Sequence, residues 1–576
     1  MRFRIAAQLA SSTTSQKTML CEQHQFVVSC FHARRYNIEI DLAQWLREQS
    51  HVRLNDIANS CSVPRCSVSR LGPRPSASSQ TVRGVAADEE CRMPSPVMTT
   101  EASNARVSEL VNMSIAELGR QIRAGTVSPV RVAEACLERI DRLDPQLDSF
   151  ITVTADRALA DAHRAESELA RGVDRGPFHG IPYALKDNVD TAGILSSSHS
   201  KIFADRVPTQ DATIAAKLRE AGGVLIGKTA TFEFAIGGPS WDLPWPPARN
   251  PWNRNYLPGG SSSGSGAAVG ARFVLGAVGT DTGGSIRWPA AVCGITGLKP
   301  TYGRVSRHGV HPNTFSLDHC GPMTRTAEDC AIMLGAIAGH DPRDPGSIDE
   351  RVPDYRGSLT GSIRGLRIGL VRHWYEEHGH PELIAAMADA AEALRALGAD
   401  VQEIVLDDLQ DYVDAKTVIS TAELFAVHEQ DIRTRPQDFG RKLRMRVMPG
   451  ALLRAEDYVQ ALRWRAELVT RLMQAFDRFD VLATAGWFAP ADPTDPNGTD
   501  FFRSRLLATM PFSLAGIPAL VVPCGFSRSG LPLSLQVGGR PFDEATVLNV
   551  GHAYQMATEW HLKMPPLERA DTPESC

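Results

Sequence analysis

The sequence predicts an α/β protein, and three stretches carry that expectation. Residues 179–340 alternate short apolar runs with glycine-rich turns and helical patterns. GLRIGLV (365–371), a helical stretch over 382–398 and DVQEIVL (400–406) spell strand, helix, strand. LVVPC (520–524) and LPLSLQVGG (531–539) return to strand near the end of the chain. Short apolar runs bounded by turn residues read as buried strands, and their alternation with helices reads as an α/β sheet.

The elements follow in order. Residues 1–97 lack sustained periodicity and read as a disordered extension or an over-long start. Their first twenty-one residues are basic and serine-rich without an acid, a loose likeness to a transit peptide, and they lack the apolar core of a secretory signal. Met93, Met98 and Met113 could each begin a complete enzyme. Ser114 with Glu117 predicts a capping box and a helix to about Gly125. Ser128 followed by Pro129 starts a longer amphipathic helix toward Leu143. Residues 155–171, rich in alanine and charge, read as another helix, and 418–478 read as mostly helical.

Composition narrows the function classes. The 576 residues are 43% hydrophobic, enough for a large core, and the formal net charge of −5 argues against a basic nucleic-acid surface. No apolar run reaches the ~18–20 residues of a membrane helix. Eleven cysteines in so long a chain do not make a disulfide scaffold.

Three residues sit in runs that make little sense as structure alone. Lys186 is planted in the apolar segment HGIPYALKDNVD (179–190), Ser261 opens the serine/glycine run of PGGSSSGSGAAVG (258–270), and Ser285 lies in GTDTGGSIRWPA (279–290). A serine hydroxyl is a poor nucleophile until a base takes its proton, and a lysine is that base only when neutral. Burial disfavours the charged form, and Ile181 to Leu185 supply a dry wall. A second serine bridges well because a hydroxyl both accepts and donates. The backbone N–H groups of Thr282, Gly283, Gly284 and Ser285 can turn toward one point, as an oxyanion requires.

These runs identify a family resemblance. ALKDNVD, PGGSSSGSGAAV, GTDTGGSIRWPAAVCGITGLKPTYGRVS (279–306), SLDHCGPMTRT (316–326), PFSLAGIPALVVPCGF (511–526) and GLPLSLQVGGRPFDEATVL (530–548) resemble the amidase signature family of serine hydrolases, in the family's order and across most of 110–565. The resemblance implies a single large α/β/α domain over 98–570, with a mixed sheet of about eleven strands, helical insertions and a tail at 571–576. It implies that Lys186 is the general base, Ser261 the bridging serine beside a cis peptide bond, and Ser285 the acyl-enzyme serine. Asp281 and Arg287 look like an ion pair shaping the nucleophile loop, Ser262 supports it, and Ala235 and Gly237 join the substrate site. Ser263 stands where the family more often has glycine, which puts the local hydrogen bonds of that loop in question.

The implied activity is that of a stand-alone amidase cleaving an aryl or alkyl amide or a carbamate. The expected partner is a small-molecule amide, ester or carbamate, with no cofactor, no nucleic acid, no membrane, a possible homodimer and a cytoplasmic setting. The rival of another class is the related subunit that transamidates glutamyl-tRNA inside a complex, as a glutaminase. Trp241 and Trp245, in the segment leading into Ser261, are either pocket walls or packing anchors.

Other motifs compete. Gly260–Gly264 matches G-x-S-x-G, which would make Ser262 the nucleophile of an esterase, but Pro258 and Gly259 precede it where a strand is needed. Residues 222–229 match the P-loop pattern literally, yet the middle of the cradle, VLIG, reads as strand core. His373, His378 and His380, and likewise Cys21, His24, Cys30 and His32, repeat no zinc spacing.

Overall fold

The computed structural model describes residues 109–494 and 507–568. The expectations for 1–97, for Cys21, His24, Cys30 and His32, and for the 571–576 tail lie outside the described residues.

The predicted short apolar runs pair into one sheet of eleven strands, so the α/β expectation and its strand count hold. In chain order the strands are β1 (Phe150–Val153), β2 (Pro182–Lys186), β3 (Val224–Thr229), β4 (Gly276–Asp281), β5 (Thr296–Lys299) and β6 (His319–Thr324). They continue with β7 (Arg367–Leu370), β8 (Asp400–Glu403), β9 (Val481–Ala485), β10 (Ala519–Phe526) and β11 (Pro532–Gly539). Their spatial order is β1-β3-β2-β4-β6-β5-β10-β11-β9-β7-β8. The sheet is mixed: β2 runs parallel to both β3 and β4, whereas β4–β6, β5–β10 and β10–β11 are antiparallel. β2, β3, β4 and β11 are buried along their whole length; VLIG of β3 accordingly reads as an apolar run, whereas β11 still alternates Leu533, Leu535 and Val537 with the buried Ser534 and Gln536.

The helices follow their capping chemistry. Ser114 Oγ accepts the Glu117 N–H at 3.0 Å and starts the helix Ile115–Arg123, while the Glu117 carboxylate turns to Gln121 instead of closing the box. Ser128 caps Pro129–Leu143 as expected. The β-α-β reading of 365–406 is realised as β7, the helix Pro381–Ala396 and β8, with β7 and β8 parallel. The helical stretch after it resolves into Leu409–Thr434, Arg441–Val447 and Ala455–Gln474. Among the described residues no helix is long and apolar enough to cross a membrane.

The serine/glycine run is a buried helix, Ser263–Gly270, and not a flexible loop. Glycine costs a helix about 1 kcal/mol relative to alanine, so close packing must offset it. A methyl added at Gly264 would come within 2.2 Å of the Ser149 carbonyl oxygen, and one at Gly266 within 2.8 Å of Pro289 Cβ. Ser263 lies inside this helix at negative φ, so it replaces a glycine without strain. The supposed P-loop is the end of the helix Thr213–Glu220 followed by β3.

Candidate active site

Parallel pairing of β2 with β4, in the register Leu185 to Val278, carries Lys186 alongside Thr280. Lys186 is fully buried, and its ammonium nitrogen lies 2.8 Å from Ser261 Oγ and 2.6 Å from Thr280 Oγ1. Its sequence neighbour Asp187 does not pair with it. Asp187 faces Lys228 at 3.2 Å and accepts from the N–H and hydroxyl of Ser197. Lys186 is therefore held by two hydroxyls and no carboxylate, and burial pushes its pKa down to about 7.

Ser261 follows Gly260 through a cis peptide bond and precedes the buried helix Ser263–Gly270. Its carbonyl accepts from Phe232 N–H, and the Ser262 N–H donates to the Ser285 carbonyl at 3.2 Å, tying the two serine loops together. Ser262 is spent on backbone: its hydroxyl donates to the Thr280 carbonyl and accepts from the Thr280 N–H, both at 3.2 Å. It does not line the cavity that Ser261 and Ser285 share, which removes the G-x-S-x-G reading.

The loop after β4 is folded around one carboxylate. Asp281 accepts from the Gly284 N–H at 2.7 Å and the Ile286 N–H at 3.2 Å, and Arg287 closes on it with Nε at 2.9 Å and a second nitrogen at 3.0 Å. Arg287 in turn donates to the Thr509 carbonyl, Gln536 Oε1 and Ser513 Oγ. Burial alone would raise the Asp281 carboxyl, but the Arg287 guanidinium outweighs it and holds the group well below the usual range. A short helix, Arg287–Cys293, begins two residues after Ser285.

Of the four N–H groups expected to face an oxyanion, that of Gly284 is taken by Asp281. Those of Thr282, Gly283 and Ser285 donate to no acceptor among the described residues, and neither does the Ser285 hydroxyl. Gly284 has φ +127, and a methyl there would meet Thr509 Oγ1 at 2.6 Å. Glycine is required at that position.

Ser261, Ser285, Thr282, Gly283 and Gly284 line a cavity of about 180 Å³. Ala235 lines it too, fixed by its carbonyl accepting from Asn313 Nδ2 at 2.9 Å, whereas Gly237 is not part of the lining. Neither Trp241 nor Trp245 lines it. Trp241 is partly exposed under Lys442, and the Trp245 carbonyl meets His199. The aromatic wall is made by Phe232 and by Trp288 stacked on Trp487, ring centres 4.6 Å apart. A larger cavity, about 370 Å³, touches Thr280 and Asp318 from the other side but holds neither serine. Chemistry, not size, decides between them.

Sequence reasoning missed Lys416 and Arg446. The helix Leu409–Thr434 lays Val413, Lys416, Thr417, Ser420, Thr421 and Leu424 along the cavity, a stripe at helical spacing. That polar stripe is the signal by which the wall could have been found. Arg446 comes from the helix Arg441–Val447, whose cap, Gly440, donates its N–H to the buried Glu233 at 2.8 Å. Glu233 also accepts from Ser200 Oγ at 2.6 Å and begins the turn that ends in Ala235, so both sides of the cavity hang on one carboxyl. Among the described residues no group of histidines, cysteines and carboxylates is placed to hold a metal, the histidines at 373–380 included.

Comparison with known proteins covers about four fifths of the chain. The sequence profile of the family described as Amidase matches residues 131–548. A glutamyl-tRNA(Gln) amidotransferase subunit of Roseiflexus sp. (strain RS-1) is 42% identical over 483 residues, 80% of this chain and 99% of that one. The solved structure of the corresponding glutamyl-tRNA(Gln) amidotransferase subunit from Thermotoga maritima superposes with a TM-score of 0.67 at 32% identity, over 79% of this chain and 97% of that one. The peptide amidase of Stenotrophomonas maltophilia superposes with a TM-score of 0.69 at 32% identity, over 79% and 98%. The amidotransferase relatives overturn two expectations: a stand-alone amidase for aryl or alkyl amides or carbamates, and a partner set of small molecules or a homodimer without nucleic acid. They leave the reaction class, amide hydrolysis, where the sequence put it. Matched in profile over residues 131–548, in sequence over 80% of the chain and in fold, the protein belongs to the amidase signature family of amide-hydrolysing enzymes.

Proposed function

We propose that the chain is the glutamine-hydrolysing component of a glutamyl-tRNA(Gln) amidotransferase. The observation that carries the reading is the meeting of the Lys186–Ser261 pair and Ser285 with two cations, Lys416 and Arg446, around one cavity. Glutamine presents an amide for the serines and a carboxylate for the cations. The similarity to amidotransferase subunits over 80% of the chain supports it.

In this mechanism neutral Lys186 takes the proton of Ser261 as Ser261 takes that of Ser285. Ser285 Oγ attacks the side-chain amide carbonyl, and the unengaged N–H groups of Thr282, Gly283 and Ser285 receive the oxyanion. The same path returns the proton to the nitrogen, because an amide nitrogen leaves badly unless protonated. Ammonia departs, leaving a glutamyl ester on Ser285 that water hydrolyses. The ammonia then serves amidation of a glutamyl group on tRNA, so the partners are further subunits and the charged tRNA. The reading takes the cytoplasm as the place of action.

The test is ammonia release from glutamine, measured for the chain alone and for the assembly that co-purifies with it in its own host, each beside Ser285→Ala. Release that vanishes in the variant and rises when glutamyl-tRNA is added supports the reading. Failure of the wild-type assembly to release ammonia from glutamine would refute it.

A further inference from the structure

Asp318 lines the larger cavity and not the one that Ser261 and Ser285 share. One of its carboxylate oxygens accepts from the Thr282 hydroxyl at 2.5 Å. The other accepts from the N–H groups of Asn313 at 2.8 Å and Thr314 at 2.9 Å. Asn313 passes the contact on, its Nδ2 donating to the Ala235 carbonyl at 2.9 Å. Thr282, Asn313 and Ala235 all line the reactive cavity. One carboxylate set outside that cavity therefore ties together three pieces of its wall. Burial raises the Asp318 carboxyl to about 6, so at neutral pH it is still mostly ionised and acts only as an acceptor.

The next residue holds the same peptide from its other end. Antiparallel pairing of β4 with β6 sets Asp281 opposite His319. His319 Nδ1 lies 3.1 Å from the Asp281 carbonyl oxygen and 2.6 Å from that of Leu317. Carbonyls only accept, so this nitrogen carries the proton. The Asp281 carbonyl and the Thr282 N–H belong to one trans peptide and point in opposite directions. A carbonyl held by His319 thus sends the Thr282 N–H away from His319. Threonine is stiff at χ1, so a pinned hydroxyl resists rotation of the peptide beside it. The far half of the loop hangs on Asp281, through the Gly284 and Ile286 N–H groups. The near half hangs on Asp318.

We propose that Asp318 is a positioning residue for the oxyanion. Acting through the Thr282 hydroxyl, it holds the Asp281–Thr282 peptide where its N–H meets the charge that develops on the substrate's carbonyl oxygen. Donors fixed in advance need no reorganisation at the moment of reaction, so disturbing them costs the transition state more than it costs ground-state binding. The inference rests on the Ser285 acyl-enzyme of the proposed mechanism and not on glutamine as the substrate.

The test compares amide turnover with boronate binding. The amides are glutamine and butyramide (glutamine without its amino group and carboxylate). Propylboronic acid carries the propyl group of butyramide. Ser285 Oγ bonds to its boron, the hydroxyl proton passes to Ser261 and Lys186, and the four-bonded boron takes a negative charge with an oxygen where the oxyanion forms. Turnover and calorimetric titration are measured for wild type, Asp318→Ala, Asp318→Asn, Thr282→Val and the Asp318→Ala/Thr282→Val pair, each below its melting temperature. In Asp318→Ala, kcat and boronate affinity should both fall at least fivefold while KM changes less than twofold. Thr282→Val should show the same split, and the pair should lose little more than the worse single variant, because both act through one contact. Asp318→Asn, which can still accept from the N–H groups and bond to Thr282, should lie between wild type and Asp318→Ala, and stands in for it if the alanine variant does not fold. Smaller losses, losses shared equally by KM, or losses that multiply in the pair would overturn the inference. So would a lowered melting temperature with kcat intact, or a wild type that takes up no boronate. The two readings fail separately: this split on butyramide with glutamine refused sinks only the glutaminase reading, and glutamine turnover without the split sinks only the role of Asp318.

Discussion

Asp187 pairs with Lys228 at 3.2 Å and not with Lys186, the residue beside it in sequence. Neighbours along a strand end point to opposite faces, so each lysine draws a different environment from the same segment. Lys228 receives the carboxylate and Lys186 two hydroxyls. Burial lowers the pKa of Lys228 as well, but the Asp187 carboxylate works against that and favours its charged form. A lysine compensated by hydroxyls is free to be neutral, which is what a base requires.

Activity should therefore depend on pH through two lysines of opposite requirement. Lys186 must be neutral, so kcat/KM rises with pH through about 7, the value to which burial lowers it. Lys416 must be charged to hold a carboxylate, so kcat/KM for glutamine falls as pH rises through about 8. The profile for glutamine should be a bell, and that for butyramide should rise to a plateau. Identical profiles for the two amides would contradict the assignment of Lys416.

Removing the base should cost catalysis and not folding. Lys186→Met keeps the volume of the stem and loses the proton acceptor, and a general base contributes about 10²- to 10⁴-fold. A kcat loss of that order with an unchanged or raised melting temperature is expected, since a buried amine is replaced by a buried thioether.

Arg287→Met should instead unfold the site. It leaves Asp281 charged, buried and short of its strongest partner, and breaking one side of a buried ion pair costs about 3–5 kcal/mol. Denaturant titration should show that loss, and Asp281→Asn combined with Arg287→Met should recover part of it.

Gly284→Ala is predicted to damage the nucleophile loop without touching a reacting group. The position has φ +127, and the added methyl collides with Thr509 Oγ1. A non-glycine residue held in such a region costs on the order of 1–3 kcal/mol. The expected readout is a fall in kcat larger than the fall in substrate affinity, because the Gly283 and Ser285 N–H groups move with the loop.

Much of this site is legible in the chain because its parts are local. Lys186 stands out against five apolar neighbours, and the Asp281–Arg287 pair spans six residues. The fold class is legible because short, mostly apolar segments such as those of β2, β3 and β4 alternate with helical stretches and are buried along their length. The substrate wall leaves only a polar stripe at helical spacing on Leu409–Thr434, which does not say what it faces. Lys416 and Arg446 reach the cavity from helices more than 130 residues downstream of Ser285, and nothing local marks a cation that faces a void. Trp241 and Trp245 look plausible for the same reason that Trp288 and Trp487 escape notice. Adjacency in sequence to Ser261 does not carry over to adjacency in space. The expected partner set fails differently, because nothing in the catalytic motifs says whether ammonia is released to water or handed to another protein.

That Ser285 carries the acyl group is the centre of this mechanism, and mass spectrometry of the enzyme quenched in acid during glutamine turnover tests it most directly. The expected result is a glutamyl adduct on the peptide containing Ser285, absent from Ser285→Ala and from Lys186→Met. An adduct on the peptide containing Ser262, or undiminished turnover in Ser285→Ala, would contradict it.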